Sequence, residues 1–338
     1  MQIQTDKNLI QNTKTAFENG IISSRDFLKM DIPKRRLIMS PWLKESTLAM
    51  IYAPRGIGKT FLGLSIALAI TRKASISTWT VDNPAGCLYI DGEMSAEEMQ
   101  DRIKRLSEKM PDELKPLRIY SADLKSRKGE TSLGLSNKEG RDEIYEYLKL
   151  NPEIKVLILD NIAALTPGIP ENDKEAWDPI NQWLLGLRFL GVSVIFFHHA
   201  GKKGLQRGTS GREDALDVVI KLEQPKKYKP EDGACFKVVF EKSRGVAGDE
   251  VSEIILKIVE TGDGNLSWES PSTDESTKVL VIRMPGSGVP QKDIPKAVGC
   301  TKQNVHHHKK RAIKNGYLDQ DGKYTRKGED AYGLLIQT

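Results

Sequence analysis

The string Ala53-Pro54-Arg55-Gly56-Ile57-Gly58-Lys59-Thr60, followed by Phe61, has the residue types and order needed to hold a row of phosphates. Clustered negative charge is met by backbone N–H groups and a helix N-terminus, and Gly56 and Gly58 permit the close approach. Lys59 would reach the β and γ phosphates, and the Thr60 hydroxyl would ligate magnesium. Ala53 stands where such a P-loop usually begins with Gly. ATP and Mg2+ are therefore the expected ligands, with Arg55, Gly56, Ile57, Gly58, Lys59, Thr60 and Phe61 as the nucleotide-binding set.

Three further strings carry groups that could act on a bound triphosphate. Val156-Leu157-Ile158-Leu159-Asp160 is an apolar run ending in a carboxylate suited to hold magnesium through its water shell. Tyr89-Ile90-Asp91-Gly92-Glu93-Met94-Ser95 ends another run in two carboxylates. Glu93 could polarise an attacking water; the alternative is a surface charge beside a helix capped by Ser95. Val194-Ile195-Phe196-Phe197-His198-His199 ends in paired histidines without a nearby cysteine, which is poor evidence for metal. One of them could hydrogen-bond the γ-phosphate, or be a satisfied structural histidine.

These groups can meet only if the runs carrying them lie side by side and end at one edge. Apolar runs occur at Leu48 to Tyr52, Cys87 to Asp91, Leu117 to Tyr120, Val156 to Asp160, Val192 to His198, Val218 to Leu222, Phe236 to Phe240 and Ile254 to Ile258. Between the first five, helical patterns occupy roughly Lys59 to Lys73, Ala96 to Met110, Lys138 to Leu150 and Asp173 to Leu190. This alternation predicts an α/β fold, a parallel sheet with helices on both faces and ligand chemistry at the C-terminal ends of its strands. The last three runs lack a long helix between them, so antiparallel strands are expected at the end of the sheet. Residues 1–45 read as a polar leader that packs on the core through Phe27, Leu28, Leu37, Met39 and Trp42, and residues 46–262 as the nucleotide-binding domain. Residues 263–276, rich in Gly, Asp, Ser, Thr and Pro, read as a linker, and residues 277–338 as a second, small domain.

Composition narrows the class. With 38% hydrophobic and 29% charged residues the chain is that of an ordinary globular protein. The longest apolar stretch, Leu62 to Ile70, is too short for a membrane span, and the Met1 end has no apolar signal core, so a cytoplasmic protein is expected. Cys87, Cys235 and Cys300 lie far apart and suggest neither a disulfide framework nor a zinc knuckle. The net charge is +5, and residues 274–338 hold all of the excess, with twelve basic side chains against seven acidic ones. Such asymmetry hints at an anionic partner.

The quoted strings resemble those of the RecA-like, DnaB-type hexameric helicases, and within them the RepA-like ATPases of plasmids and mobile elements, over about Leu37 to Val259. The resemblance implies a RecA-like ATPase domain, a homo-oligomer of hexamer size, Glu93 as catalytic base, Asp160 beside the metal and His199 as γ-phosphate sensor. Arg207-Gly208-Thr209-Ser210 is similar to the arginine-finger segment, and Glu241-Lys242-Ser243-Arg244-Gly245 to an element whose Lys and Arg reach a neighbour's site. Arg207 is the first choice of finger, followed by Arg244, with Arg212 a third candidate. Gly245 and Val246 depart from the Asn-Gly of that element. The separate helical N-terminal domain of bacterial replicative helicases has no counterpart in the leader.

Two stretches could contact DNA. In a ring, Lys202 and Lys203 of the Gly201 to Arg207 segment would face the channel and track a single strand, and a solvated loop is the alternative. The tail resembles a winged helix-turn-helix. Gln303, Lys309, Lys310 and Arg311 would lie on its recognition helix and Lys323 in its wing, against duplex DNA. A protein-docking module is the other reading of the tail. The function implied is a DNA motor, most simply a replicative helicase of a mobile element. A DNA-bound ATPase acting as a regulator or loading switch without unwinding is the alternative, and a small-molecule kinase is disfavoured by the Glu-Met-Ser string and the basic loop.

Overall fold

The computed structural model describes residues 17–170, 174–201, 215–225, 228–229, 232–246, 251–270, 302–314 and 316–332. The chain divides after Arg36 into two units. In the first, Ser24–Phe27 forms one helical turn (α1), started by Ser23, whose hydroxyl accepts the Asp26 N–H at 3.1 Å.

The second unit begins with β1 (Leu37–Ser40) and β2 (Leu43–Lys44), then β3 (Leu48–Ala53) and α2 (Lys59–Arg72). β4 (Ser75–Ile76) and β5 (Trp79–Val81) complete a small sheet of order β2-β1-β5-β4. The chain continues through β6 (Gly86–Asp91), α3 (Ala96–Ser107), β7 (Leu117–Ser121), α4 (Ala122–Arg127), α5 (Lys138–Leu150), β8 (Ile154–Asp160), α6 (Ile162–Leu165), α7 (Lys174–Phe189) and β9 (Ser193–His199). With β10 (Val218–Glu223), β11 (Cys235–Ser243), β12 (Ile254–Glu260) and β13 (Leu266–Glu269) these strands build a nine-stranded sheet of order β13-β12-β11-β10-β3-β9-β8-β6-β7. The strands from β10 to β7 in that order run parallel, and β11, β12 and β13 are antiparallel.

Side chains alternate across the strands, so β3 feeds two cores. Ala49, Ile51 and Ala53 face the cluster that includes α2, Trp42 and Trp79, while Leu48, Met50 and Tyr52 face the one that includes α5 and α7. Near-continuous apolar strands are what a sheet covered on both faces requires. The β12–β13 hairpin is stapled to the helices beside it. Arg105 of α3 pairs with Glu260 at 2.7 Å and donates to the Gly264 carbonyl at 2.8 Å, and Lys109 pairs with Asp263 at 2.9 Å. The Trp268 indole N–H donates to Ser65 Oγ of α2 at 2.7 Å.

Three points differ from the sequence reading. Residues 37–44, counted with the leader, belong to the second unit, where Met39, Trp42 and Leu43 are buried and Trp42 meets Trp79 edge-on at 5.5 Å. Residues 266–269, counted as linker, are β13. β10 is parallel to β3, because the residues between His199 and Val218 are numerous enough for a crossover. In the C-terminal part, α8 (Lys302–Lys314) is followed by a bridge between Leu318 and Tyr324 and by α9 (Arg326–Tyr332), with Ala312 and Leu318 buried among Ile313, Tyr317 and Tyr324. Residues 271–301, which include the start of the expected second domain, lie outside the described residues. No described helix is long and apolar enough to cross a membrane.

Candidate active site

Parallel pairing brings the chemistry-bearing strand ends into one row. Ala53 is in register with His199, and Asp91 with Asp160. The order β3-β9-β8-β6 therefore sets the P-loop, His199, Asp160 and Glu93 side by side at the C-terminal edge, where they surround a cavity of about 450 Å3. Its walls include Arg55, Gly56, Gly58, Lys59, Thr60, Phe61, Glu93, Arg102, Asp160, Asn161 and His199.

Gly58 ends the loop at φ 105° and starts α2 without a side-chain cap, which leaves the first N–H groups of the helix to a ligand. Ile57, by contrast, is turned into the core. The Lys59 ammonium is buried and donates to the carbonyls of Ala53 at 3.2 Å and Pro54 at 2.8 Å. Burial lowers its pKa to about 8; Asp160 and Glu93 oppose the shift and Arg55 adds to it.

Asp160 is 3% exposed, and burial pushes its carboxyl above the usual carboxylate range, against hydrogen bonds from Tyr89 and Thr60 and the charge of Lys59. The Tyr89 hydroxyl donates to Asp160 Oδ2 at 2.7 Å. The Thr60 hydroxyl, hydrogen-bonded to Asp160, and the Asp160 carboxylate both line the cavity and are hard oxygen donors of the kind Mg2+ takes, so these two residues fit that ion.

Asn161 caps α6, its Oδ1 accepting the Ala164 N–H at 3.1 Å. That orientation turns its amide N–H toward His199 Nε2, 3.3 Å away, and makes this ring nitrogen the acceptor. Across the cavity the Arg102 guanidinium lies 4.5 Å from the centre of the Phe61 ring, and its charge is 3.6 Å from Glu98.

The expected nucleotide set apart from Ile57, together with Glu93, Asp160 and His199, thus converges on one cavity. Tyr89, Asn161 and Arg102 were not among the sequence candidates. Asn161 follows the carboxylate directly and carried a signal as a polar residue at a strand end. Arg102 could be placed only by folding α3 over the loop. Arg244 lies elsewhere. Ser243 pairs with Val218, which pairs with Ala49, and the Arg244 N–H donates to the Asp217 carbonyl at 2.8 Å. Arg244 is thereby at the opposite edge of the sheet from its own cavity, with its side chain exposed. Lys202, Lys203 and Arg207 lie outside the described residues, as do the side chains of Gln303 and Arg311. On α8 and the segment after it, Lys310, Lys314 and Lys323 are exposed and Lys309 is half-buried.

A family model described as "AAA domain" matches residues 14–204 of the chain. No curated protein sequence matches it. Among solved structures, a KaiC-like protein of the hyperthermophilic archaeon Pyrococcus horikoshii OT3 is similar over 70% of this chain and 100% of its own, with 15% sequence identity and a TM-score of 0.48.

Proposed function

Since the chain belongs to the AAA domain family, we propose that it is a Mg2+-dependent ATPase that works on DNA as a ring-forming homo-oligomer, most simply as a replicative helicase of a mobile element. The observation that carries the proposal is the convergence of Lys59, Thr60, Asp160, Glu93 and His199 on one cavity at the C-terminal edge of a parallel sheet. The backbone N–H groups of the loop and the Lys59 ammonium bind and orient the triphosphate. Thr60 and Asp160 would hold Mg2+, which when bound neutralises charge on the β and γ phosphates. Glu93 takes a proton from the water whose oxygen attacks the γ-phosphorus, the bond to the β-phosphate oxygen breaks, and ADP and phosphate result. The Asn161–His199 pair is placed to register whether the γ-phosphate is present.

An arginine donated by a neighbour completes the scheme. Ser243 is level with the start of β3 and the P-loop follows its end, so at ~3.3 Å per residue Arg244 is well over ~10 Å from its own subunit's phosphates. That supports action in trans for Arg244; Arg207 stays the first choice of finger. Lys202 and Lys203 would track the single strand in the channel, and Lys309, Lys310, Lys323, Gln303 and Arg311 would hold duplex DNA, with phosphate contacts giving a salt-dependent affinity.

ATP turnover with and without single-stranded DNA, comparing Glu93→Gln with the parent, tests the assignment. Stimulation by DNA and loss of turnover with retained nucleotide binding are expected; unchanged turnover in the variant moves the base elsewhere. The exposed cations of the C-terminal segment equally suit an ATPase held on duplex DNA as a loading switch. Strand displacement on a forked duplex separates the two: a motor unwinds it, a switch does not.

A further inference from the structure

The turn that presents Glu93 is held by a carboxylate for which the hydrolytic scheme has no task. Asp91 ends β6, is paired in register with Asp160 and is 2% exposed. A carboxylate that deeply buried needs hydrogen-bond donors, because desolvation disfavours its charge. Burial raises its pKa to about 7, with the charges of Asp160 and Glu93 adding to the effect and the donors below opposing it. One oxygen, Oδ2, accepts both the Glu93 N–H at 3.2 Å and the Met94 N–H at 2.8 Å. The Gly92 N–H donates to the Asp160 carbonyl at 2.9 Å, and a Cβ at Gly92 would stand 3.0 Å from that of Ala164, so this step of the turn is pressed against α6. On the far side, Asp123 accepts the Ala96 N–H at 2.9 Å and Ser95 caps α3. The N–H groups of Glu93 and Met94 are thus both tied to the end of β6 through Asp91.

We propose that Asp91 is a positioning residue for hydrolysis: by gathering the Glu93 and Met94 N–H groups on one oxygen, it sets where the Glu93 carboxylate stands over the phosphate cavity. The inference rests on the reading of Glu93 as the base. It concerns geometry and not charge. Asn at 91 keeps an oxygen in the same place, Glu keeps the charge but moves its oxygens by a methylene, and Ala removes the acceptor.

The test compares Asp91→Asn, Asp91→Glu and Asp91→Ala for kcat, KM, affinity for a fluorescent ATP analogue, and amide hydrogen exchange at residues 92–95. A misplacement of about 1 Å costs about 10²-fold, so the Glu and Ala variants should lose roughly 10- to 100-fold in kcat with analogue affinity within about twofold of the parent. The Asn variant should stay within about fivefold, and exchange at Glu93 and Met94 should quicken in the Ala variant. If the Ala variant does not fold, the Asn and Glu pair carries the same comparison. Parental kcat in the Glu variant, or losses in kcat matched by equal losses in nucleotide binding, overturns the proposal. Glu93→Gln separates the two layers. Parental turnover in that variant overturns the base assignment beneath the proposal, whereas its loss of turnover beside a fully active Asp91→Ala protein overturns the role of Asp91 alone.

Discussion

Gly58→Ala perturbs the phosphate cradle without touching a charge. Gly58 sits at φ 105° and ψ 21°, and an added Cβ would stand 2.5 Å from Ala234 Cβ and 3.3 Å from Ala234 Cα. Two costs combine. Left-handed backbone with a side chain costs about 1–2 kcal/mol, and forcing a methyl into packed neighbours about 1–3 kcal/mol. Their sum, roughly 2–5 kcal/mol, is a large part of a domain's ~5–15 kcal/mol. Ala234→Gly removes the nearest atom, so the double variant should regain the overlap cost, about 1–3 kcal/mol, and keep the backbone cost. Urea unfolding of the parent, the two single variants and the double variant measures the coupling, and affinity for a fluorescent ATP analogue follows the cradle itself. Strict additivity in the cycle would refute the contact, and a Gly58→Ala protein with parental stability and affinity would refute the conformational argument as well.

Other outcomes follow from the same coordinates. Tyr89→Phe deletes the donor on Asp160 and should cost about 1.5–3 kcal/mol. Asp160 already has a raised pKa in the fold, and losing a donor raises it further, so the penalty should be largest where the group is ionised and shrink as acid protonates it; a penalty that stays constant down the acid side of the stability profile argues against this. Lys59 loses its proton near pH 8, so ATP affinity should weaken as pH rises through that value, and Lys59→Met should bind weakly with a flatter profile. The lowered pKa also means that the unfolded chain holds this proton more tightly than the fold. Lys59's contribution to the stability of the nucleotide-free protein should therefore rise between about 8 and the ordinary lysine value of 10.5, opposite in sense to affinity, as denaturation across that range can check. Deleting residues 274–338 should weaken duplex binding and flatten its salt dependence; unaltered binding favours a protein-docking role for the tail.

What the sequence made legible was contiguous. The P-loop, the strands ending in Asp160 and His199, and the Glu93 turn are each written in one string, and their common edge follows from the parallel order. The helix spanning Lys138 to Leu150 matches its pattern end to end. The small sheet was not legible, because β2 and β4 have two residues each and β5 three, too short to show a period of two. β13 was hidden by the turn residues around it. Tyr89, Asn161 and Arg102 acquire meaning only through partners on other elements: Asp160, His199 and Phe61.

The hairpin staple has a mechanical consequence. Trp268 donates to Ser65, whose hydroxyl donates in turn to the carbonyl of Phe61 at 2.7 Å, and Arg105, bonded to the other end of the hairpin, is on the helix that carries Arg102. Both members of the Phe61–Arg102 stack are thus moored to one short ribbon. The strand that carries the chain out toward its C-terminal segment is part of that ribbon, so the exit of the chain and the Phe61–Arg102 wall of the cavity share one support.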